Sequence, residues 1–394
     1  MKKLLYAALC CAIVLCSCEP TNEGKKLTPE ESKDKFEKTA KAFMDACPAS
    51  DFNDLADFAT FLNKNYFSSD INYDFSALSE KYDEYYESSC KENGSIFGIA
   101  FVLSNYTGEF TFASNGLTYK NSKGLSFNVT DNKNNKWVFA LETSGEVREF
   151  INKDIDGTEL TVKIPENIIV ILTRNGEQML KETVTYNINL SANIDVSKDK
   201  VSVSQEFAIK DYVINLTTEV NGKSGELQAR ASLTKNGKLL AQGSVKGSID
   251  MDGDNISSIT FNNATNVTID ADIMEGVQIK GSVKDAMDIS NACDYSPRDK
   301  KAVIAARNTV NSLIDLKFYY DNTSTEQGYF ELEEQEYKDY EGTSCWELYP
   351  VIVFNDDARY FVEDYFNEDD FKDLVKNFDA FVELYEALIE KVIE

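Results

Sequence analysis

From Val184 the chain reads Val184-Thr185-Tyr186-Asn187-Ile188-Asn189-Leu190-Ser191-Ala192-Asn193-Ile194-Asp195-Val196. Every second residue is apolar and each residue between is polar. A period of two belongs to a β-strand with one buried and one wet face. The same rule governs Leu239, Ala241, Gly243, Val245, Gly247, Ile249 and Met251, and again Val267, Ile269, Ala271 and Ile273. The stretch from Thr183 to Lys284 therefore predicts a long, one-sided antiparallel sheet. Its apolar face needs a cover, and amphipathic helices at the two chain ends are the expected one.

Upstream, Ile96 to Leu103, Glu109 to Ala113, Leu125 to Val129 and Trp137 to Leu141 read as further strands between Asn/Gly/Lys turns. Asn115-Gly116, Asn175-Gly176, Asn221-Gly222 and Asn236-Gly237 suit the two-residue hairpin turn, because Asn and Gly both tolerate positive φ. Ile168 to Leu172 is apolar at every position, which predicts burial on both faces. About fourteen strands between Gly94 and Lys284 are many for one flat sheet, so it must curl, split or close. The expected fold class is α+β: a large curled antiparallel sheet or half-barrel with terminal helices on its apolar face. The chain has 6 prolines and no Pro-, Gly- or Ser-rich linker. Residues 28–394 accordingly read as one domain: helical over 28–93, antiparallel strands over 94–292, helix-hairpin-helix over 293–394.

The helices have clear starts. Thr28-Pro29-Glu30-Glu31 is a capping box with proline in the first turn, leading to Phe36, Ala40, Phe43, Met44 and Cys47 on one stripe before Pro48. Asp51-Phe52-Asn53-Asp54-Leu55 opens a second helix, with Asp51 expected to cap it, and a third covers Phe75 to Cys90. Ser296-Pro297-Arg298-Asp299 opens a helix with Val303, Ala306, Val310, Leu313 and Ile314 inward. Tyr319-Tyr320 and Tyr329-Phe330 mark a hairpin, and Trp346 to Phe354 a strand. Asp370-Phe371-Lys372-Asp373-Leu374 repeats the second opening ahead of a strongly amphipathic last helix. These stripes read as sheet-facing core.

Residues 1–17 read as a signal peptide: Lys2 and Lys3, then an apolar run from Leu4 to Leu15 too short to span a bilayer comfortably. Leu15-Cys16-Ser17-Cys18 resembles a bacterial lipobox. That resemblance implies cleavage before Cys18 and acyl chains, palmitate among them, on its sulfur and amino terminus. The expected partner is then the membrane, with residues 18–27 as a lipidated tether. Residues 1–67 as a whole resemble a family of uncharacterised lipoproteins of Bacteroides-type gut bacteria. Those combine a lipobox with T-P-E-E and D-F-x-D-L helix starts, here Thr28 to Glu31 and Asp51 to Leu55. The resemblance implies a bacterial outer-membrane address and brings no activity with it. Surface-exported members carry acidic residues just after the lipidated cysteine; here Glu19 and Glu23 do so, split by Pro20, and both the periplasmic and the surface face stay open.

The formal charge of −27, more negative once Lys2 and Lys3 are removed, repels nucleic acid and anionic headgroups. Nucleic acid is therefore not expected as a partner. With 0 histidines, Ser-His-Asp and Cys-His catalysis and histidine zinc sites are excluded. Asp250-Met251-Asp252-Gly253-Asp254 has the start of a calcium loop, but Asn255 stands at the glycine position and Phe261 at the bidentate glutamate. Gly222-Lys223-Ser224 ends like a phosphate loop, but Thr217 stands where the first glycine belongs. Both read as hairpin turns. No catalytic pair, metal site or cofactor is nominated.

Cys47, Cys90, Cys293 and Cys345 remain after processing. In an oxidising compartment they permit Cys47–Cys90 or Cys293–Cys345, against buried free thiols. Two functions stay in view. One is a non-enzymatic carrier or binder of an apolar ligand, in outline resembling the half-barrel-plus-helix lipoprotein carriers of bacterial envelopes. The other is a surface lipoprotein that contacts another envelope protein and takes no small molecule. They part on whether side chains plug the apolar face.

Overall fold

The computed structural model describes residues 23–68, 72–89, 107–153, 159–189, 200–249, 264–366 and 372–393. The fold is α+β, built on one open, mostly antiparallel sheet of 16 strands. Contacts cluster in two compact units, Met1–Cys47 with Ser224–Ala380, and Pro48–Lys223 with Phe381–Glu394.

The unit containing residues 48–223 holds β1 (Gly108–Phe112), β2 (Leu117–Lys120), β3 (Leu125–Thr130), β4 (Lys136–Lys153), β5 (Glu159–Arg174), β6 (Glu177–Asn189), β7 (Lys200–Ile209) and β8 (Tyr212–Asn221). From β3 to β8 each strand pairs antiparallel with its chain neighbour. β1 alone inserts parallel to β3. At the β5–β6 turn Asn175 and Gly176 have φ of 53° and 85°, the two-residue geometry that Asn-Gly foretells.

The other unit holds β9 (Glu226–Lys235), β10 (Lys238–Ser248), β11 (Thr265–Ile273), β12 (Val277–Asp285), β13 (Ile314–Tyr320), β14 (Gly328–Lys338), β15 (Ser344–Phe354) and β16 (Arg359–Phe361). Asn236 and Gly237 turn β9 into β10 with positive φ as well. The register sets Gly243, Ala271, Ile279 and Phe318 in one row across β10 to β13, and Gln242, Asp272, Gln278 and Tyr319 in the next. Cross-strand partners share a face, so the rows alternate apolar and polar as the sequence does.

Helix α1 (Pro29–Ala46) has the expected capping box: the Glu31 amide donates to Thr28 Oγ1 and the Thr28 amide to Glu31 Oε2. It covers the apolar rows with Phe36, whose ring meets Phe318 at 6.2 Å, Tyr320 at 5.6 Å, Tyr365 at 6.4 Å and Phe366 at 5.4 Å. Tyr365, at the end of the short α6 (Val362–Tyr365), donates its hydroxyl to the Pro29 carbonyl at 2.8 Å. Burial pushes the phenols of Tyr320 and Tyr365 far above their ordinary range. Between α1 and α6 in the chain, α4 (Ala286–Ala292) leads to α5 (Lys300–Leu313). Asp299 caps α5 through the Lys301 and Ala302 amides, and Val303, Ala306 and Val310 are buried as expected.

Two readings change. Asp51 does not cap the second helix. A 3-10 turn at Ala49–Phe52 follows Pro48 and α2 runs Asn53–Leu62. The Asp51 carboxylate instead accepts the Tyr212 hydroxyl at 2.7 Å, satisfying a phenol that is otherwise buried. Ile168 to Leu172 are each only half buried, because alternate members turn toward the open face shared with Thr183 and Thr185. α3 spans Ser76–Ser89 and the last helix, α7, Lys372–Ile393. Tyr385 on α7 brings its ring to 6.1 Å from Phe52. Cys18, the strand read at Ile96 to Leu103, the acidic run Asp250 to Asp254 and the start read at Asp370 lie outside the described residues.

Replacing Phe36 with Ala removes the ring that joins α1 to the sheet and opens a cavity. The expected loss is about 3–5 kcal/mol, read from urea unfolding midpoints. A loss within the range of exposed substitutions would show that α1 is peripheral.

Candidate functional site

The most elaborate polar arrangement in the 48–223 unit surrounds Trp137. Helix α2, the β3–β4 turn and the end of β5 enclose a pocket of about 200 Å³. The turn Asp131-Asn132-Lys133-Asn134-Asn135 folds as it does because Asp131 bonds its own loop. Its carboxylate accepts the Lys133 amide at 2.8 Å, the Asn135 amide at 2.9 Å and the Asn135 side-chain amide at 2.9 Å. A fourth donor, Trp137 Nε1, reaches it at 2.9 Å. Asn134 at φ 61° lets the turn close.

Trp137 is 2% exposed. Phe58 of α2 stacks on it, centroids 4.0 Å apart with planes 8° from parallel, and the Arg174 guanidinium lies over the ring at 5.7 Å. Arg174 also pairs with Asp54 at 3.0 Å, and Lys210 joins Asp54 at 3.4 Å. Lys133 pairs with Asp57 at 3.1 Å. Desolvation opposes the charge on Asp54, yet Lys210 and Arg174 outweigh it and hold the carboxyl below its ordinary range. Desolvation likewise opposes charge on Asp131, but the bonds from Trp137, Asn135 and Lys133 hold it low.

The pocket's carboxylates and cations thus neutralise one another. It has hydrogen-bonding capacity but no surplus charge, and its volume falls below the several hundred Å³ usual for small-molecule sites. The indole face that could have stacked on a sugar is used by Phe58. Trp137 is a keystone between helix and sheet.

A second feature lies on the other face of the same unit. Thr183, Thr185, Ser204, Asn215 and Thr217 line an open groove of about 330 Å³ across β6, β7 and β8. Thr185 donates to Asn167 Oδ1 at 2.8 Å and Thr217 to Ser204 at 3.4 Å. The register puts Val184 beside Gln205 and Leu216, and Tyr186 beside Val203 and Thr218, in the rows alternating with these, and Gln205 and Leu216 also border the groove. Leu216 is 43% exposed, and Val184, Tyr186, Val203, Phe207 and Ile214 are half buried.

A third feature is Asp272 on β11, 5% exposed. Its Oδ1 and the neighbouring Gln278 Nε2 have no hydrogen-bond partner among the described residues. Burial raises its pKa above the ordinary carboxyl value.

Of the sequence-nominated residues, Cys345 is buried with its thiol 3.8 Å from Asp339 Oδ2, whereas Cys293 is exposed. Both are free thiols: that of Cys345 faces the Asp339 carboxylate in the turn after β14, and that of Cys293 faces solvent. Cys47 is buried at the end of α1, and its proposed partner Cys90 lies outside the described residues. Lys223 and Ser224 lie in the turn after β8, as a hairpin reading requires. Asp131, Asp54 and Arg174 were not singled out from the sequence; the Asp-Asn-Lys-Asn-Asn turn signature was the available signal. Comparison with protein-family models, curated proteins and solved structures finds no match to this chain.

Asp131 titrates below its ordinary 3.8 in the fold. Its contribution to stability is complete above the unfolded value and fades as pH falls through the folded one. Asp131→Asn should therefore be less stable than wild type at neutral pH, and the gap should narrow on acidification below about pH 4. Thermal melts from pH 7 to pH 2.5 check this, and a gap constant with pH would contradict it.

Proposed function

We propose that this chain is a lipid-anchored, non-enzymatic binding protein of the bacterial envelope that takes an apolar ligand along β6 to β8. One observation carries the reading: the strip of Val184, Tyr186, Val203, Phe207, Ile214 and Leu216 is apolar by pattern yet only half buried. In the other unit the corresponding apolar rows are filled by Phe36, Phe318 and Phe354, so the strip stands apart from ordinary core. An exposed apolar stripe rimmed by polar side chains is the usual mark of a binding surface. The sheet is open, so the ligand would lie on a face and not inside a barrel.

The anchor belongs to the same reading. The lipobox-like Leu15-Cys16-Ser17-Cys18 supports acylation at Cys18, and an outer-membrane location follows from it. Acyl chains on Cys18 exceed the two signals that stable anchoring needs. A surface lipoprotein that contacts another envelope protein and takes no small molecule is the second reading, favoured by the hydroxyl- and amide-lined groove of Thr183, Thr185, Ser204 and Asn215.

Two outcomes follow. Leu216→Glu should leave the melting temperature within a few degrees of wild type and abolish binding of a fluorescent fatty acid or co-purification of lipid, read by native mass spectrometry. Wild type that carries no apolar molecule under those conditions sinks the ligand reading and leaves the protein-contact one. Separately, Cys18→Ala should end incorporation of a fatty-acid analogue in growing cells and release the protein from membranes. Undiminished labelling would remove the anchor.

A further inference from the structure

The stretch from Gly24 to Leu27 is fastened to the fold. The Gly24 amide donates to Thr325 Oγ1 at 2.8 Å, and Thr325 Oγ1 donates back to the Gly24 carbonyl at 2.9 Å. The Leu27 amide donates to Gln327 Oε1 at 2.8 Å, while Gln327 Nε2 donates to the Lys25 carbonyl at 2.9 Å. Gln327 is buried, so both of its polar ends are spent on this strap. Gly24 is seated so closely that a Cβ there would stand 2.5 Å from Thr323 Oγ1. The capping box at Thr28 and the Tyr365 bond to Pro29 follow at once. The second half of the stretch read as a tether is a strap.

This shortens the leash. Between Cys18 and Gly24 lie six Cα-to-Cα steps, which even fully extended cover at most about 20 Å. The strap ends on the turn between β13 and β14, residues 321–327. Since the strands run antiparallel, the turns at Asn236-Gly237, Met274–Gly276 and Asn355–Ala358 lie at the same end of their strands. The β14–β15 turn, which carries the 97%-exposed Tyr340, lies at the opposite end. Eleven residues of β14 separate the two ends, about 35 Å of strand.

We propose that the end of this unit bearing the turn at residues 321–327 is its membrane-proximal face, held against the bilayer that carries the acyl chains of Cys18, with the Tyr340 end turned away. The inference rests on the lipid-anchor reading and adds to it a fixed attitude: a short leash leads into a strap on one end of the sheet. A protein on a long free tether would have no preferred end.

The test uses the full acylated protein in phosphatidylcholine vesicles containing a rhodamine-labelled lipid. A donor dye is placed at Ser324→Cys or at Tyr340→Cys in a Cys90→Ser, Cys293→Ser background, where the described remaining thiols Cys47 and Cys345 are buried. Donor emission should be lost to the membrane acceptor strongly at residue 324 and weakly at residue 340. Inserting about twenty Gly and Ser residues between Asn22 and Glu23, a flexible coil, should erase that difference. Equal or reversed transfer in the parent overturns the attitude, and a difference that survives the insertion overturns the leash as its cause. Protein that does not float with the vesicles, and whose intact mass lacks acyl chains, overturns the anchor reading and the attitude with it. That outcome is distinguishable because it appears before any transfer is measured.

Discussion

Everything in this structure depends on the parity of the strands. Along a β-strand the side-chain period is two, so slipping one pairing by a single residue would carry every apolar side chain to the wrong face. Across β10 to β13 the pairing holds Gly243, Ala271, Ile279 and Phe318 in one row. That row is what gives Phe36 a place to sit, and through Phe36 the first helix its position. In the other unit the pairing of Trp137 with Arg174 and of Phe139 with Leu172 presents Trp137 and Leu172 to α2. Helices are placed by the sheet, and the sheet is placed by register.

The ionic chemistry follows the same economy. Where charge gathers, around Trp137, each carboxylate meets a cation or several amide donors, leaving an arrangement that holds a helix on a sheet and has little to offer a ligand. Partly exposed ion pairs of this kind contribute little to stability one by one, and here they serve to hold the helix in register with the sheet. The apolar strip on β6 to β8 differs in kind, since its apolar members, interleaved with Gln205 and Thr218, are left half in solvent.

How much of this could be read from the chain varies with the physics involved. Strand parity, the capping box at Thr28 and the hairpins at Asn175 and Asn236 are local, and local patterns are written in consecutive residues. Asn221-Gly222 shows the limit: the positive φ falls at Gly225 instead, where a Cβ would stand 2.1 Å from the Ile249 carbonyl oxygen. The Asp51 helix start failed for a similar reason, since Tyr212, 161 residues away, claimed the carboxylate. The strap was invisible because Gln327 and Gly24 carry no pattern at all; the bonds of Gly24 to Thr325 and of Leu27 to Gln327 each span about three hundred residues. The half-burial of Ile168 to Leu172 was misread because a run of apolar residues does not say what lies on each face.

An open sheet of this breadth has ends, and they shape how the protein behaves in a crowd. Among the described residues the sheet stops at β2, four residues long, and at β16, three residues long. A foreign strand docking there would find only one or two outward amides to pair with. Even that offer is reduced at β2, where the Leu117 amide already donates to the Asp74 carbonyl at 3.2 Å. At the other end Arg359 is drawn inward to Glu331 and Glu333, two strands away. Long interior strands flanked by stubs keep the ladder from serving as a template for its neighbours. A chain with this much β-structure can then be crowded without its sheet edges seeding pairing between molecules.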